Sequence, residues 1–213
     1  KMSNLESSFI NNISDKKSTL STTGKILIGL SGGVAIGLSV ICYPFVAPAL
    51  RKHCLPFVPA TNTQIKNVLE CVSTTSKNSA ITFLDIGSGD GRLVINSAKK
   101  FQKDNKLSYF HGVELNFWLV LYSKISAAVH GVYRQTSFFR KDLWKFNISP
   151  YNNIVIFGVE QMMEDLEKKI LREAKSNTKI IACRFPLPNL TPIKIVDSGI
   201  DTVWLYQINN NSR

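Results

Sequence analysis

Hydrophobic and polar positions change their pattern several times along the chain. Residues 1–25 are rich in Ser, Thr and Asn, lack apolar periodicity, and predict a flexible polar tail. Residues 26–50 then contain no Asp, Glu, Lys, Arg or His. A helix of that length would measure about 37 Å, enough to cross a hydrocarbon core of about 30 Å with tilt. Lys25 on one side and Arg51-Lys52 on the other bracket the run, and Gly29, Gly32, Gly33 and Gly37 give it a small-residue face. It predicts a transmembrane or membrane-anchor segment. A cleaved signal ending near residues 47–49 fits less well because the apolar run and the tail before it are both too long. A buried soluble helix fits less well because so long a run carries no charge.

Residues 51–78 predict a connector stiffened by Pro56 and Pro59, then a helix capped by Thr61 or Thr63 and running through Ile65, Val68, Leu69 and Val72. From residue 79 to 208 short apolar runs alternate with helical patterns. Strands are expected at 81–86, 109–114, 137–142, 153–158 and 179–183, and a closing hairpin at 193–196 and 200–206. Residues 209–213 are left as a tail. Met162, Met163, Leu166, Ile170 and Leu171 recur at helical spacing and are expected in the core, with Glu164–Lys168 and Asp165–Lys169 as exposed i,i+4 pairs. Strands alternating with helices place the domain in the α/β class.

The first strand runs into Gly87-Ser88-Gly89-Asp90-Gly91, and a helical pattern starts at Arg92. This is the strand, glycine loop and helix order of a nucleotide-type cofactor site. A dinucleotide fingerprint would want glycine where Arg92 stands, and Asp85 and Asp90 put negative charge where a pyrophosphate would lie. Those carboxylates suit a ligand with a positive end and no phosphate, as in S-adenosylmethionine (SAM). Glu114 closes the second strand, placed for a ribose diol, and Asp142 closes the third, placed for an adenine amino group. Each acid alone is an ordinary strand-end residue; the loop and the acids on successive strands point together to a methyltransferase.

The 26 Lys+Arg and 15 Asp+Glu residues give a net charge of +11. The basic groups are scattered rather than striped, so no nucleic-acid partner is expected, and an anionic lipid surface fits the charge as well. Four cysteines without a C-x-x-C pair and three isolated histidines predict reduced thiols and no metal site.

From residue 55 to 206 the chain resembles the small mitochondrial class I protein-lysine methyltransferases that act on the ATP synthase c subunit and the adenine nucleotide translocase. The blocks that carry the resemblance are LPFVPAT (55–61), LDIGSGDGR (84–92), DLWK (142–145), ACRFPLP (182–188) and GIDTVW (199–204). The apolar N-terminal segment is similar to that of the family's c subunit member. The resemblance implies a mostly parallel seven-stranded Rossmann-like sheet, SAM as cofactor, and methyl transfer to a lysine ε-amine. It also implies residence at the mitochondrial inner membrane (cristae), with a protein substrate and membrane lipid as partners. Asp85, Gly87, Ser88, Gly89, Asp90, Glu114 and Asp142 then fall at the cofactor. In this fold class the segment after the fourth strand lies beside the methyl group, so Glu160 and Gln161 are candidates to orient the amine, against a solvated helix start. Trp118 and Tyr122 share a helical face, with Trp118 placed towards the site and Tyr122 in the core. Phe185, after the fifth strand, is expected at the substrate mouth. The c subunit is the expected substrate; the alternatives are the translocase, or a non-catalytic membrane-bound scaffold with the same fold.

Overall fold

In the computed structural model the described residues are 21–46, 57–72, 79–101 and 107–209. Most of the expected polar tail, the end of the apolar run at 47–50, the loop at 73–78, the polar stretch at 102–106 and residues 210–213 lie outside them. The apolar run forms α1 (Thr22–Val46), whose large apolar side chains between Ile26 and Tyr43 are exposed. It is long and apolar enough to cross a membrane.

The remaining described residues build one sheet and its helices. In chain order these are α2 (Asn62–Cys71), β1 (Thr82–Ile86), α3 (Arg92–Phe101), β2 (Tyr109–Glu114), α4 (Phe117–Val129), β3 (Thr136–Arg140), β4 (Asn153–Phe157), α5 (Glu160–Glu173), β5 (Lys179–Cys183), β6 (Lys194–Val196) and β7 (Val203–Gln207). The seven strands are ordered β3-β2-β1-β4-β5-β7-β6. β1 to β5 are mutually parallel, and β7 is inserted antiparallel between β5 and β6. This is the mixed sheet with a C-terminal hairpin that the sequence predicted. The order reverses between β1 and β4, and in open α/β sheets ligands bind at such a switch point, outside the carboxyl ends of the strands.

Alternation along the central strands supplies both faces. Phe83 joins the apolar layer formed with α2, α3 and α4, through Val68, Leu93, Val94, Val120 and Ala127. Leu84 and Ile86 join the opposite layer, formed with α5 through Met162, Met163, Leu166 and Ile170. On the outer side of α5, Glu164 and Lys168 pair at 2.7 Å as expected, whereas the buried Lys169 bonds Glu173.

Thr61 is the cap of α2. Its Oγ1 accepts from the Gln64 N–H at 3.0 Å, the Gln64 side chain accepts from the Thr61 N–H at 3.1 Å, and the Thr61 hydroxyl donates to Asp201 at 2.7 Å. Gln64 Nε2 donates to the Ile200 carbonyl, and Asn67 donates to Asp197, so α2 is tied to the turn before β7. Thr61→Ala removes the cap and that tether, and is expected to cost about 1–2 kcal/mol. The check is a urea midpoint that falls with unchanged slope.

Two elements differ from the sequence expectation. β3 ends at Arg140, so Asp142 stands two residues past the strand. After a last ladder bond from the Lys141 N–H to the Glu114 carbonyl the strand stops, because the same N–H also turns back to the Phe139 carbonyl and the Asp142 carboxylate caps the Trp144 N–H of a short 3₁₀ turn. β7 begins at Val203 rather than residue 200, because a 3₁₀ turn at Gly199–Asp201 occupies the start of the expected strand.

Candidate active site

The carboxyl ends of β1, β2 and β5 gather the chemistry. Asp85, near the end of β1, is only 2% exposed, and its Oδ1 finds no hydrogen-bond partner among the described residues. Burial, and then the neighbouring Glu114 and Asp90 carboxylates, push its carboxyl up to about 8. The buried Cys183 thiol at the end of β5 is pushed well up by burial and by Asp85, so these two groups share the same interior. Such a carboxyl holds a proton until a positive group arrives.

The loop after β1 closes onto β2. The N–H groups of Gly87 and Ser88 both donate to the Val113 carbonyl, and the Gly89 N–H donates to Glu114 Oε2 at 3.0 Å. Glu114 Oε1 accepts from the N–H groups of Leu115 and Asn116, each at 2.8 Å. The acid is therefore fixed by backbone, with lone pairs left for hydroxyl donors. Gly91 needs a left-handed backbone, at φ 76°, where a Cβ would meet Phe138 and Ser123 at 2.7 Å. At Gly89 a Cβ would meet the Phe57 ring at 2.7 Å, so Phe57 lies against the loop.

Asp90, beside Asp85 in the loop, carries a partner of its own. Arg92 Nε donates to both of its oxygens, at 3.0 and 2.9 Å, and Arg92 Nη1 donates to the Ala60 carbonyl at 3.0 Å. Its charge is matched within the loop and fastens the loop to the segment before α2. Asp142 accepts from the Trp144 N–H at 3.0 Å, just beyond the β3 residue that pairs with Glu114.

Glu160 and Gln161 are exposed in the first turn of α5, whose N-cap Val159 offers no side-chain cap. Trp118, in the first turn of α4, is half-buried, with Nε1 buried and unpartnered. Tyr122, expected in the core, is instead exposed. Because α4 is apolar on nearly every side, periodicity gives it no phase. Phe185 is half-buried against the α5 layer. Sequence reasoning passed over Arg184, which directly follows β5 with φ 72° and a buried Nε that finds no partner among the described residues. The signal was a lone cation directly after a buried strand, and its left-handed backbone was not readable from residue type.

Asp85, Ser88, Trp118 and Arg184 together carry four of the six buried, unpartnered side-chain polar atoms among the described residues. Buried polar atoms without partners are costly, and all four residues lie at or soon after the carboxyl ends of β1, β2 and β5, the edge where such sheets bind ligands. The orphaned Asp85 carboxyl fits a cationic group, and the fixed Glu114 fits a diol.

A family model described as the ANTKMT methyltransferase domain matches residues 85–194, and one described as the N-terminal domain of the ATP synthase c-subunit lysine N-methyltransferase matches residues 16–51. The ATP synthase c-subunit lysine N-methyltransferase of Xenopus laevis is 49% identical over 87% of this chain and 77% of its own length. The chain belongs to this lysine N-methyltransferase family. The adenine nucleotide translocase lysine N-methyltransferase of Mus musculus is more distant from it, at 29% identity over 87% of the chain and 79% of the relative. Among solved structures, an RNA methyltransferase from Salinibacter ruber in complex with S-adenosyl-L-homocysteine aligns with a TM-score of 0.64 and 24% identity. That alignment covers 72% of this chain and 95% of the other, and shows the shared class I methyltransferase fold.

Proposed function

We propose that this member of the family is a SAM-dependent protein-lysine N-methyltransferase whose substrate is the c subunit of ATP synthase, at the mitochondrial inner membrane. The observation that carries the choice of substrate is the 49% identity to a c subunit enzyme, against 29% to a translocase enzyme, over the same share of the chain. The length and apolar surface of α1 support a membrane anchor, and a substrate whose name places it in ATP synthase supports the mitochondrial location.

When bound, SAM supplies a methyl group on a cationic sulfonium, for in-line transfer to a neutral lysine amine. In this reading Asp85 faces the positive end of the cofactor. Glu114 accepts the ribose hydroxyls, Asp142 the adenine amino group, and Gly87, Ser88 and Gly89 line the cradle. Asp90 contributes by holding the loop through Arg92. A lysine with a reference pKa of about 10.4 must arrive neutral, and an apolar mouth lowers that value without a dedicated base. Trp118 and Phe185 supply such a mouth, and Glu160 and Gln161 stand at the start of α5 to orient the amine.

The test is transfer of labelled methyl from SAM into mitochondrial membranes by the full chain, with the labelled protein identified by mass spectrometry. The expected result is label on a lysine of the c subunit. Label on the translocase would move the substrate to the alternative, and cofactor binding with no transfer to any protein would favour the scaffold.

A further inference from the structure

The outer face of α4 carries an apolar stripe that the methyltransferase reading does not use. Phe117, Leu121, Ile125 and Val129 recur every fourth residue, so they lie in one line along the helix. They are between 39% and 79% exposed. Tyr122 on the same helix and Tyr133, four residues past its end, are also exposed. The inner side of the same helix is occupied by Val120 and Ala127, which pack on the sheet, so burying the stripe adds nothing to this core. A contiguous apolar strip of this kind marks a contact surface.

The charges around it say what the contact is. From residue 117 to 145 there are five basic residues and one acid, Asp142, whose carboxylate caps the 3₁₀ turn. Two of the cations lie over aromatic rings of this segment, one of them Phe117 of the stripe itself. Arg134 lies 5.7 Å from the centre of Tyr133, and Arg140 5.6 Å from the centre of Phe117. Lys124 and Lys141 are exposed nearby. The helix on the opposite face of the sheet has the reverse balance, with five acids and three basic residues in α5. Apolar and aromatic side chains bordered by Lys and Arg are the composition of a helix lying in the headgroup region of an anionic bilayer. A protein groove would be expected to supply counter-charges to each cation at fixed places, whereas a lipid surface supplies negative charge everywhere.

We infer that the outer face of α4 is a membrane-contacting surface of the catalytic domain, seated on anionic lipid through Phe117, Leu121, Ile125 and Val129 and held by the surrounding cations. α4 begins directly after Glu114 and Asn116, the residues that shape the loop end of the site. Under the proposed function, lipid contact along α4 holds the cofactor cradle at the level where a lysine of a membrane protein emerges. The contact itself does not depend on which protein is methylated.

The test uses the full chain in vesicles of phosphatidylcholine and phosphatidylglycerol, with Cys42 and Cys54 replaced by Ser. A nitroxide is attached singly at Ile125→Cys, at Lys168→Cys on α5, or at Val34→Cys on α1, and its relaxation by oxygen and by a water-soluble nickel chelate is compared. The expected result is loss of nickel relaxation with retained oxygen relaxation at position 125, and full nickel relaxation at 168. Full nickel relaxation at position 125 would overturn the inference, and so would spin–spin broadening between copies, which would assign the stripe to a second chain. The label at 34 reports the α1 anchor separately, so failure of the anchor and failure of the α4 contact are read from different positions.

Discussion

Asp85→Asn is expected to make the cofactor-free protein more stable at pH 8 while weakening SAM binding about a hundredfold. Both effects come from one carboxyl, buried without a partner and pushed up to about 8. Its folded value lies above the ordinary value of about 3.9, so the folded state holds an extra proton between the two. Stability contributed by the protonated form is fully present below about pH 4 and is lost as pH rises through about 8, at up to about 1.4 kcal/mol per pH unit. Asparagine removes that loss but brings a buried amide that costs about 1–3 kcal/mol itself. The native chain loses about 4 kcal/mol of this contribution between pH 5 and pH 8, so the net expectation is a gain of about 2–4 kcal/mol at pH 8 and almost none at pH 5, read as the difference in thermal midpoint between variant and native chain across that range. The same substitution deprives a cationic ligand of its counter-charge, at a cost of about 2–3 kcal/mol in affinity. A variant that binds SAM as well as the native chain would separate Asp85 from the cofactor.

Gly91→Ala is expected to lower the thermal midpoint by about 10 °C and to abolish cofactor binding with it. The residue has φ 76°, which costs a residue with a Cβ about 1 kcal/mol or more. The added methyl would lie 2.7 Å from the Phe138 ring and the Ser123 hydroxyl, and 2.8 Å from the Ser123 Cβ. Both neighbours are buried, and Ser123 is occupied in donating to the carbonyls of Gly89 and Leu119. Overpacking of that kind adds about 1–3 kcal/mol. The loop would relieve the clash by moving, and the Gly89 N–H bond to Glu114 would be lost with it. A midpoint within about 2 °C of the native value would show that the loop has slack these contacts do not suggest.

The strand positions, the glycine loop and Glu114 as a strand-end acid were legible because each rests on a local signal: a short apolar run, a glycine cluster, an acid at a run's end. The order of the strands in the sheet rests instead on pairing between distant segments. Asp85 was legible as a position but not as a proton holder, since its shift depends on Glu114, Asp90 and burial by distant strands. The pairing of Asp90 was not legible because sequence shows a charge and not its partner; the turn brings Arg92 back onto it from two residues away. Asp142 was displaced because an acid after an apolar run ends a strand or caps a turn with equal ease, and only its bond to the Trp144 N–H of the 3₁₀ turn decides between them. α4 defeated periodicity because its outer stripe is as apolar as its inner face. That ambiguity is physically informative, since a helix with two apolar faces has two apolar environments to satisfy.

The most direct test of the central claim, that the site is built around a buried proton-holding carboxyl awaiting a cationic cofactor, is calorimetric titration of SAM at pH 7 in two buffers of different ionisation enthalpy. With a carboxyl near 8 in the free protein, the native chain is expected to release close to one more proton per SAM bound than Asp85→Asn does. Binding heats that show the same proton release for the native chain and the variant would contradict the account.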